Sequence, residues 1–153
     1  KFISVMPANL YGPGDKYTEE NSHVVAALIK RFHEAKEIGA KQVEIWGTGK
    51  AMREFMHCDD MADACFYLME YYDSPDLVNV GTGEDVSIKD LAYLIKDVIN
   101  FNGKLVFDTS KPDGMPRKVV DTKKLNDLGW ASSINLKEGL SQTYSLYKEL
   151  LLK

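Results

Sequence analysis

No apolar run in this sequence approaches the ~18 residues needed to cross a bilayer, and no charged-then-apolar leader precedes the first element, so neither a membrane span nor a secretory signal is expected. Basic residues are too few for the extended footprint that a nucleic-acid backbone requires. The 19 Lys and Arg are outnumbered by 23 Asp and Glu, a net charge of −4, which argues against nucleic acid as the natural partner. A few placed arginines still suffice to hold one small anion. Cysteine is scarce as well. Cys58 and Cys65, if on one helix, are separated by roughly 10 Å of rise, out of disulfide reach, and read as reduced thiols of a reducing, cytoplasmic compartment. Neither Gly47-Thr48-Gly49 nor Gly81-Thr82-Gly83 has the third glycine of a dinucleotide fingerprint. There is no Walker-type phosphate loop, no internal repeat and no linker long enough to divide the chain.

What is present is a globular composition, 44% apolar and 27% charged over 153 residues, enough for one ordinary domain with a real core. An apolar strand over 2–6 ends at Pro7 and the turn-rich Tyr11-Gly12-Pro13-Gly14-Asp15. Such a run reads as a buried strand that needs neighbours on its flanks, as if residue 1 were not the biological start. The spacing predicts a helix over 22–38, capped by Ser22 and Gly39. Strands are expected over 43–46 and 54–57, a helix over 60–72 capped by Asp59 or Asp60, and a strand over 77–80. A helix over 88–99 follows, with Ser87 and Asp90 as its cap pair. A strand over 105–107, a loop over 110–116, extended chain at Val119-Val120 and a short helix over 122–128 lead to a last helix over 136–151, with Asn135 and Glu138 as its caps. Alternating strands and helices make the fold class α/β.

Three metal-ligand types stand together in His57-Cys58-Asp59-Asp60. Adjacent residues of a strand point to opposite faces, so no metal site is expected there. Each arginine, taken alone, reads as a solvated surface residue, His23 as a structural histidine beside a cap, and Trp46 as strand core.

The order of motifs changes that reading. Pro7-Ala8-Asn9-Leu10-Tyr11-Gly12-Pro13 follows a strand, where open α/β sheets gather their ligands. It resembles the segment after the sixth strand of extended short-chain dehydrogenase/reductases acting on nucleotide sugars. Asn21-Ser22-His23, Arg31-Phe32-His33, Met52-Arg53-Glu54-Phe55, Val80-Gly81-Thr82-Gly83 and Lys111-Pro112-Asp113-Gly114-Met115-Pro116-Arg117-Lys118 continue the likeness in order along nearly the whole chain. Asn-Ser-His, Met-Arg-Glu-Phe and Lys-Pro-Asp-Gly-x-Pro-Arg-Lys resemble the GDP-L-fucose synthase family in particular.

That resemblance implies epimerisation at C3 and C5 of GDP-4-keto-6-deoxy-D-mannose, then NADPH-dependent reduction at C4. Inversion beside a ketone needs a base on one face and an acid on the other. The resemblance matches His23 to the acid and places the base, a cysteine, upstream. It matches Arg31, Trp46, Arg53 and Asp113 to substrate contacts, and Pro7, Ala8, Asn9, Leu10 and His23 to contacts with NADP(H). Arg31 lies two turns from His23, about 12 Å along the axis, a span that suits a hexose and its diphosphate. Arg53 and Arg117 have the forked donors that grip phosphate. The whole chain then reads as the C-terminal, GDP-sugar-binding portion of one enzyme. Residues 1–14 and about 59–83 would belong to the edge of a Rossmann-type sheet, and the NADP-binding half would be missing. A Gly-rich turn and a catalytic Tyr-x3-Lys are not found; Tyr144 and Lys148 have the spacing but sit far from the other motifs. These residues alone are therefore expected not to reduce a 4-keto sugar. The family is usually homodimeric. The alternatives are another nucleotide-sugar epimerase or dehydratase, and a non-catalytic sugar-nucleotide-binding or assembly module.

Overall fold

The computed structural model describes residues 2–18 and 22–152, so Asn21 of the Asn-Ser-His motif lies outside the described residues. The chain runs β1 (Val5–Pro7), β2 (Asn9–Tyr11), α1 (Val24–Glu37), β3 (Gln42–Trp46), β4 (Met52–His57), α2 (Cys58–Tyr71), β5 (Val78–Val80), β6 (Asp85–Ser87), α3 (Ile88–Ile99), β7 (Lys104–Asp108), β8 (Arg117–Lys118), α4 (Lys123–Asp127) and α5 (Leu136–Leu151). The α/β class holds. No helix among the described residues is long and apolar enough to cross a membrane.

Parallel pairing dominates. β1 runs beside β5, β2 beside β4 and β3 beside β7, while β4 also takes β6 antiparallel and β8 parallel. β4 is the hub because it alternates between two cores. Phe55 joins Leu28, Ile29 and Phe32 of α1, Leu91 and Ile95 of α3 and Leu140 of α5. Met56, on the opposite face, joins Ala8, Ala64, Leu68, Val80, Leu125 and Trp130. Residue-by-residue alternation is what a strand between two apolar layers requires. Burying a side chain such as Phe32 completely stabilises the fold by about 2–3 kcal/mol.

Several boundaries differ from the expected ones, each for a reason. The first strand spans 5–7 rather than 2–6, and Phe2 is 97% exposed, not buried. Asn9–Tyr11, where no strand was expected, is a strand: after Pro7 the chain gives its Ala8 N–H to Val80 O at 2.8 Å and then registers against Phe55–His57 of β4. The short strand β8 takes Arg117 and Lys118, ahead of the extended chain expected at Val119-Val120, and the Val120 N–H goes to Glu54 Oε2 at 2.8 Å. The caps shift too. His23 rather than Ser22 is the N-cap of α1, and the Ser22 hydroxyl turns back to the Thr18 carbonyl. His57 rather than Asp59 or Asp60 caps α2, its Nδ1 accepting the Asp59 N–H at 3.3 Å. Asp60 instead accepts from the Ser133 hydroxyl at 2.8 Å and the Ile134 N–H at 3.0 Å, tying α2 to the chain before α5. α3 and α5 keep their expected ends, with Ser87 accepting from the Asp90 N–H and Asn135 from the Glu138 N–H, both at 3.0 Å.

Candidate active site

A cavity of about 740 Å³ opens where β1 and β2 end and α1 begins, a size that suits a small-molecule ligand. Four elements bring side chains to it. Pro7, Ala8, Asn9 and Leu10 form one wall, and Gly12 and Pro13 continue it. The Asn9 amide is fixed by donating to the Glu54 carbonyl at 2.7 Å. His23 enters from the N-terminus of α1. It holds the N-cap backbone position with no side-chain capping bond, so its ring is not used up by the helix. Arg53 comes from β4, and Trp46 from the end of β3. Trp46 is 59% exposed, which removes the reading of it as strand core.

Asp113 closes a further side. Its two oxygens take the Thr48 N–H and the Thr48 hydroxyl, each at 2.6 Å. The Thr48 hydroxyl, then the Thr48 N–H, hold its carboxyl below the usual carboxylate range. The turn must be Gly47 here: its φ is +82°, and a Cβ would lie 2.3 Å from Asp113 Oδ1. The Gly-Thr-Gly turn thus docks the 110–116 loop against the cavity.

Of the residues singled out in the sequence, His23, Trp46, Arg53, Asp113 and Pro7–Leu10 share this cavity, and Arg31 does not line it. Arg31 lies over the Trp46 ring. Its Nη1 donates to the Glu44 carbonyl at 2.7 Å, and its guanidinium carbon is 5.7 Å from the Trp46 ring centroid. Lys111 Nζ lies 5.6 Å from the same ring. Arg117 also stays out of the cavity, paired with Asp85 at 2.5 Å.

The expected divergence of His57, Cys58 and Asp59 is overturned. Because His57 is a cap and the next two residues open α2, strand alternation does not apply, and one donor atom from each lies within 4.8 Å of the others. The partial positive charge at a helix N-terminus opposes a cation there, and His57 Nδ1 already accepts from the Asp59 N–H. Cys58 lines the cavity. Burial, then Asp59, push its thiol up from its ordinary value, which keeps it protonated and a poor nucleophile. Neither Cys58 nor Cys65 is in a disulfide. Burial first, then Asp60 and Cys58, likewise raise the Tyr11 hydroxyl, whose ring stands edge-on to His57 with centroids 5.4 Å apart.

Two further residues at or beneath the cavity have no role expected from the sequence. Lys118 lines the cavity; the signal was the Arg-Lys pair itself, since two consecutive basic residues in a strand must face opposite ways. Glu54 is 1% exposed and is the buried knot under the site. Its Oε1 accepts the Gly83 N–H at 2.8 Å and its Oε2 the Val120 N–H at 2.8 Å. A carboxyl between strand residues signals such a knot, because burial without partners is costly.

Residues 1–81 match the NAD dependent epimerase/dehydratase family. The chain is 56% identical over 147 residues to probable GDP-L-fucose synthase 1 of Oryza sativa subsp. japonica, covering 96% of this chain and 45% of that protein. It is 48% identical over 157 residues to the GDP-L-fucose synthase of Escherichia coli strain K12, covering 97% of this chain and 49% of that one. The crystal structure of a GDP-L-fucose synthetase from Naegleria fowleri bound to NADP superposes with a TM-score of 0.93 at 31% identity, covering 99% of this chain and 48% of that one. The chain thus spans somewhat under half the length of these relatives. With a match over more than half of its residues, it belongs to the NAD dependent epimerase/dehydratase family.

Proposed function

We propose that this chain is the nucleotide-sugar portion of a GDP-L-fucose synthase, which epimerises GDP-4-keto-6-deoxy-D-mannose at C3 and C5 and then reduces it at C4. The observation that supports this most is that an imidazole free of capping duty, His23, and the Arg53 guanidinium line one cavity. The 4-keto group acidifies the protons on both neighbouring carbons. Once a base has taken one of them, the electron pair moves onto the ketone oxygen as an enolate. His23 then returns a proton from its ring nitrogen to the same carbon on the opposite face, which inverts it. Arg53 would hold the diphosphate by parallel N–H bonds, and Trp46 and Asp113 would bound the sugar nucleotide, with Arg31 acting through Trp46.

Residues 7–14 carry no charged side chain, a neutral wall that fits a nicotinamide ring. Pro7, Ala8, Asn9 and Leu10, with His23, would hold that end of NADPH, which when bound supplies the hydride for C4. We assign residues 1–14 and about 59–83 to the edge of the Rossmann-type sheet. The pairing of β1 with β5 and the separate core beneath them support that division. The Gly-rich turn and the Tyr-x3-Lys pair belong to a preceding NADP-binding half, so the present residues alone leave NADPH unconsumed. A cytoplasmic compartment agrees with the two free thiols, and the full-length enzyme is taken as a homodimer.

The test is solvent-deuterium incorporation by the full-length enzyme acting on GDP-4-keto-6-deoxy-D-mannose. Label at both C3 and C5, reduced in His23→Asn by a larger factor than NADPH affinity, is the expected result. Label at neither carbon would leave a 4-epimerase or a non-catalytic module as the better reading.

A further inference from the structure

The stretch between the end of β2 and the head of α1 bounds the cavity and leads to His23, yet its own backbone does little to fix it. Gly12, Pro13, Gly14 and Asp15 all line the cavity. Gly12 and Gly14 sit at positive φ, +139° and +84°, and lack the steric restraint of a side chain. Among the described residues, no backbone–backbone hydrogen bond ties residues 13–18 to another element. The Asp15 carboxylate takes the Lys16 N–H, a bond within the stretch itself.

One aromatic side chain seats the stretch instead. Lys16 and Thr18 are exposed, while Tyr17 between them is half-buried and packs against the larger core. Its ring lies 4.4 Å from that of Tyr147 in α5, tilted by 39°, and aromatic pairs at this separation attract beyond the area they bury. Burial first, then Asp15 and Tyr147, push its hydroxyl up to about 12. Tyr147 is buried and also meets His33 of α1 edge-on, with centroids 5.4 Å apart. His33 in turn shares a 3.1 Å hydrogen bond with the Tyr144 hydroxyl. α1 and the stretch before it are therefore fastened to the same tyrosine of α5, and His23 lies on the chain between the two fastenings.

We infer that Tyr17 is a positioning residue: its ring, seated on Tyr147, holds the stretch that bounds the cavity and sets His23 at the head of α1. The role rests on the reading of the cavity as a nucleotide-sugar site with His23 as its proton donor. It makes α5, of whose described residues none lines the cavity, a determinant of proton return. A misplacement of about 1 Å at a reacting group can cost about a hundredfold in rate.

The experiment compares the full-length wild type with Tyr17→Phe, Tyr17→Leu and Tyr17→Ala. Three quantities are read: the rate of solvent-deuterium incorporation at saturating GDP-4-keto-6-deoxy-D-mannose, the NADPH affinity, and the urea midpoint, which confirms that the rates belong to folded enzyme. The Leu and Ala variants are expected to incorporate label at least about tenfold more slowly, with NADPH affinity within about threefold of wild type. The Phe variant keeps the ring and should stay within about threefold of wild type in rate. The Leu variant keeps an apolar side chain in the seat, so a loss it shares with Ala is not an emptied pocket. Rates unchanged in Leu and Ala would overturn the role of Tyr17 and leave the nucleotide-sugar reading standing. A Phe variant as slow as Ala would overturn it too, and so would an NADPH affinity that falls by the same factor as the rate. A wild type that labels neither C3 nor C5 would remove the reading itself, and the role with it.

Discussion

The guanidinium of Arg31 lies over the ring of Trp46, 5.7 Å from its centroid, while its Nη1 holds the Glu44 carbonyl at 2.7 Å. Glu44 and Trp46 are both in β3, so one arginine on α1 fixes the strand and the orientation of the indole at its end. If Arg31 serves the cavity through Trp46, the two residues should be energetically coupled. A double-mutant cycle with Arg31→Ala and Trp46→Ala, read as GDP affinity, is expected to show a coupling of about 0.5–1 kcal/mol. Strictly additive losses would mean that Arg31 touches ligand on its own account.

Gly139 is a helix-interior glycine, where alanine normally stabilises by about 1 kcal/mol. Here the added Cβ would stand 2.2 Å from the Tyr11 hydroxyl oxygen and 3.2 Å from His57 Cδ2. Both neighbours are buried, so overpacking should win, at a cost of roughly 1–3 kcal/mol. Urea denaturation of Gly139→Ala checks this; a stabilised variant would show that the Tyr11–His57 pair yields freely.

Glu54 joins three chain segments through two oxygens. Glu54→Ala removes a buried carboxylate and with it the acceptor of the Gly83 and Val120 N–H groups, and a loss of about 2–4 kcal/mol in unfolding free energy is expected. Glu54→Gln keeps the volume but turns an acceptor into a donor, and should lose a good part of the same amount. A Glu54→Ala variant within about 0.5 kcal/mol of wild type would contradict its role as a knot.

Arg117 holds the Asp85 carboxyl below the usual carboxylate range, first by its hydrogen bond and then by its charge. A carboxyl whose folded value is depressed contributes stability above its ordinary value, near pH 4, and loses that contribution as pH falls through the lower folded value. The ion pair between β8 and β6 should therefore loosen only in acid. Urea midpoints from pH 7 to pH 2 should fall below about pH 4, and Asp85→Asn should show a smaller acid loss from a lower starting point. An Asp85→Asn profile parallel to wild type would detach the ion pair from stability.

What could be read in advance follows the range of the forces involved. α3 and α5 were legible because a cap pair and an apolar stripe are local properties, and Ser87–Asp90 and Asn135–Glu138 occur as expected. β2 and β8 were not, because each is only two or three residues long and exists through its pairing with β4, far off in sequence. Family likeness pointed to His23, Trp46, Arg53 and Asp113, and their meeting in one cavity depended on how β3, β4 and the 110–116 loop pack. Rise along the helix was the sequence argument for Arg31, and eight residues also rotate a side chain by roughly 80°; Arg31 lies over the ring of Trp46 beside the cavity. Lys118 was hidden because its direction depends on the register of β8.

One cavity is expected to serve both the proton donor and the phosphate grip. The most direct test follows the His23 ring resonances by NMR while GDP-L-fucose is added to the wild type and to Arg53→Gln. The expected result is a shift of the His23 signals that saturates with ligand, and a midpoint moved to at least tenfold higher concentration in the variant. His23 signals that stay fixed while ligand saturates the wild type would contradict it.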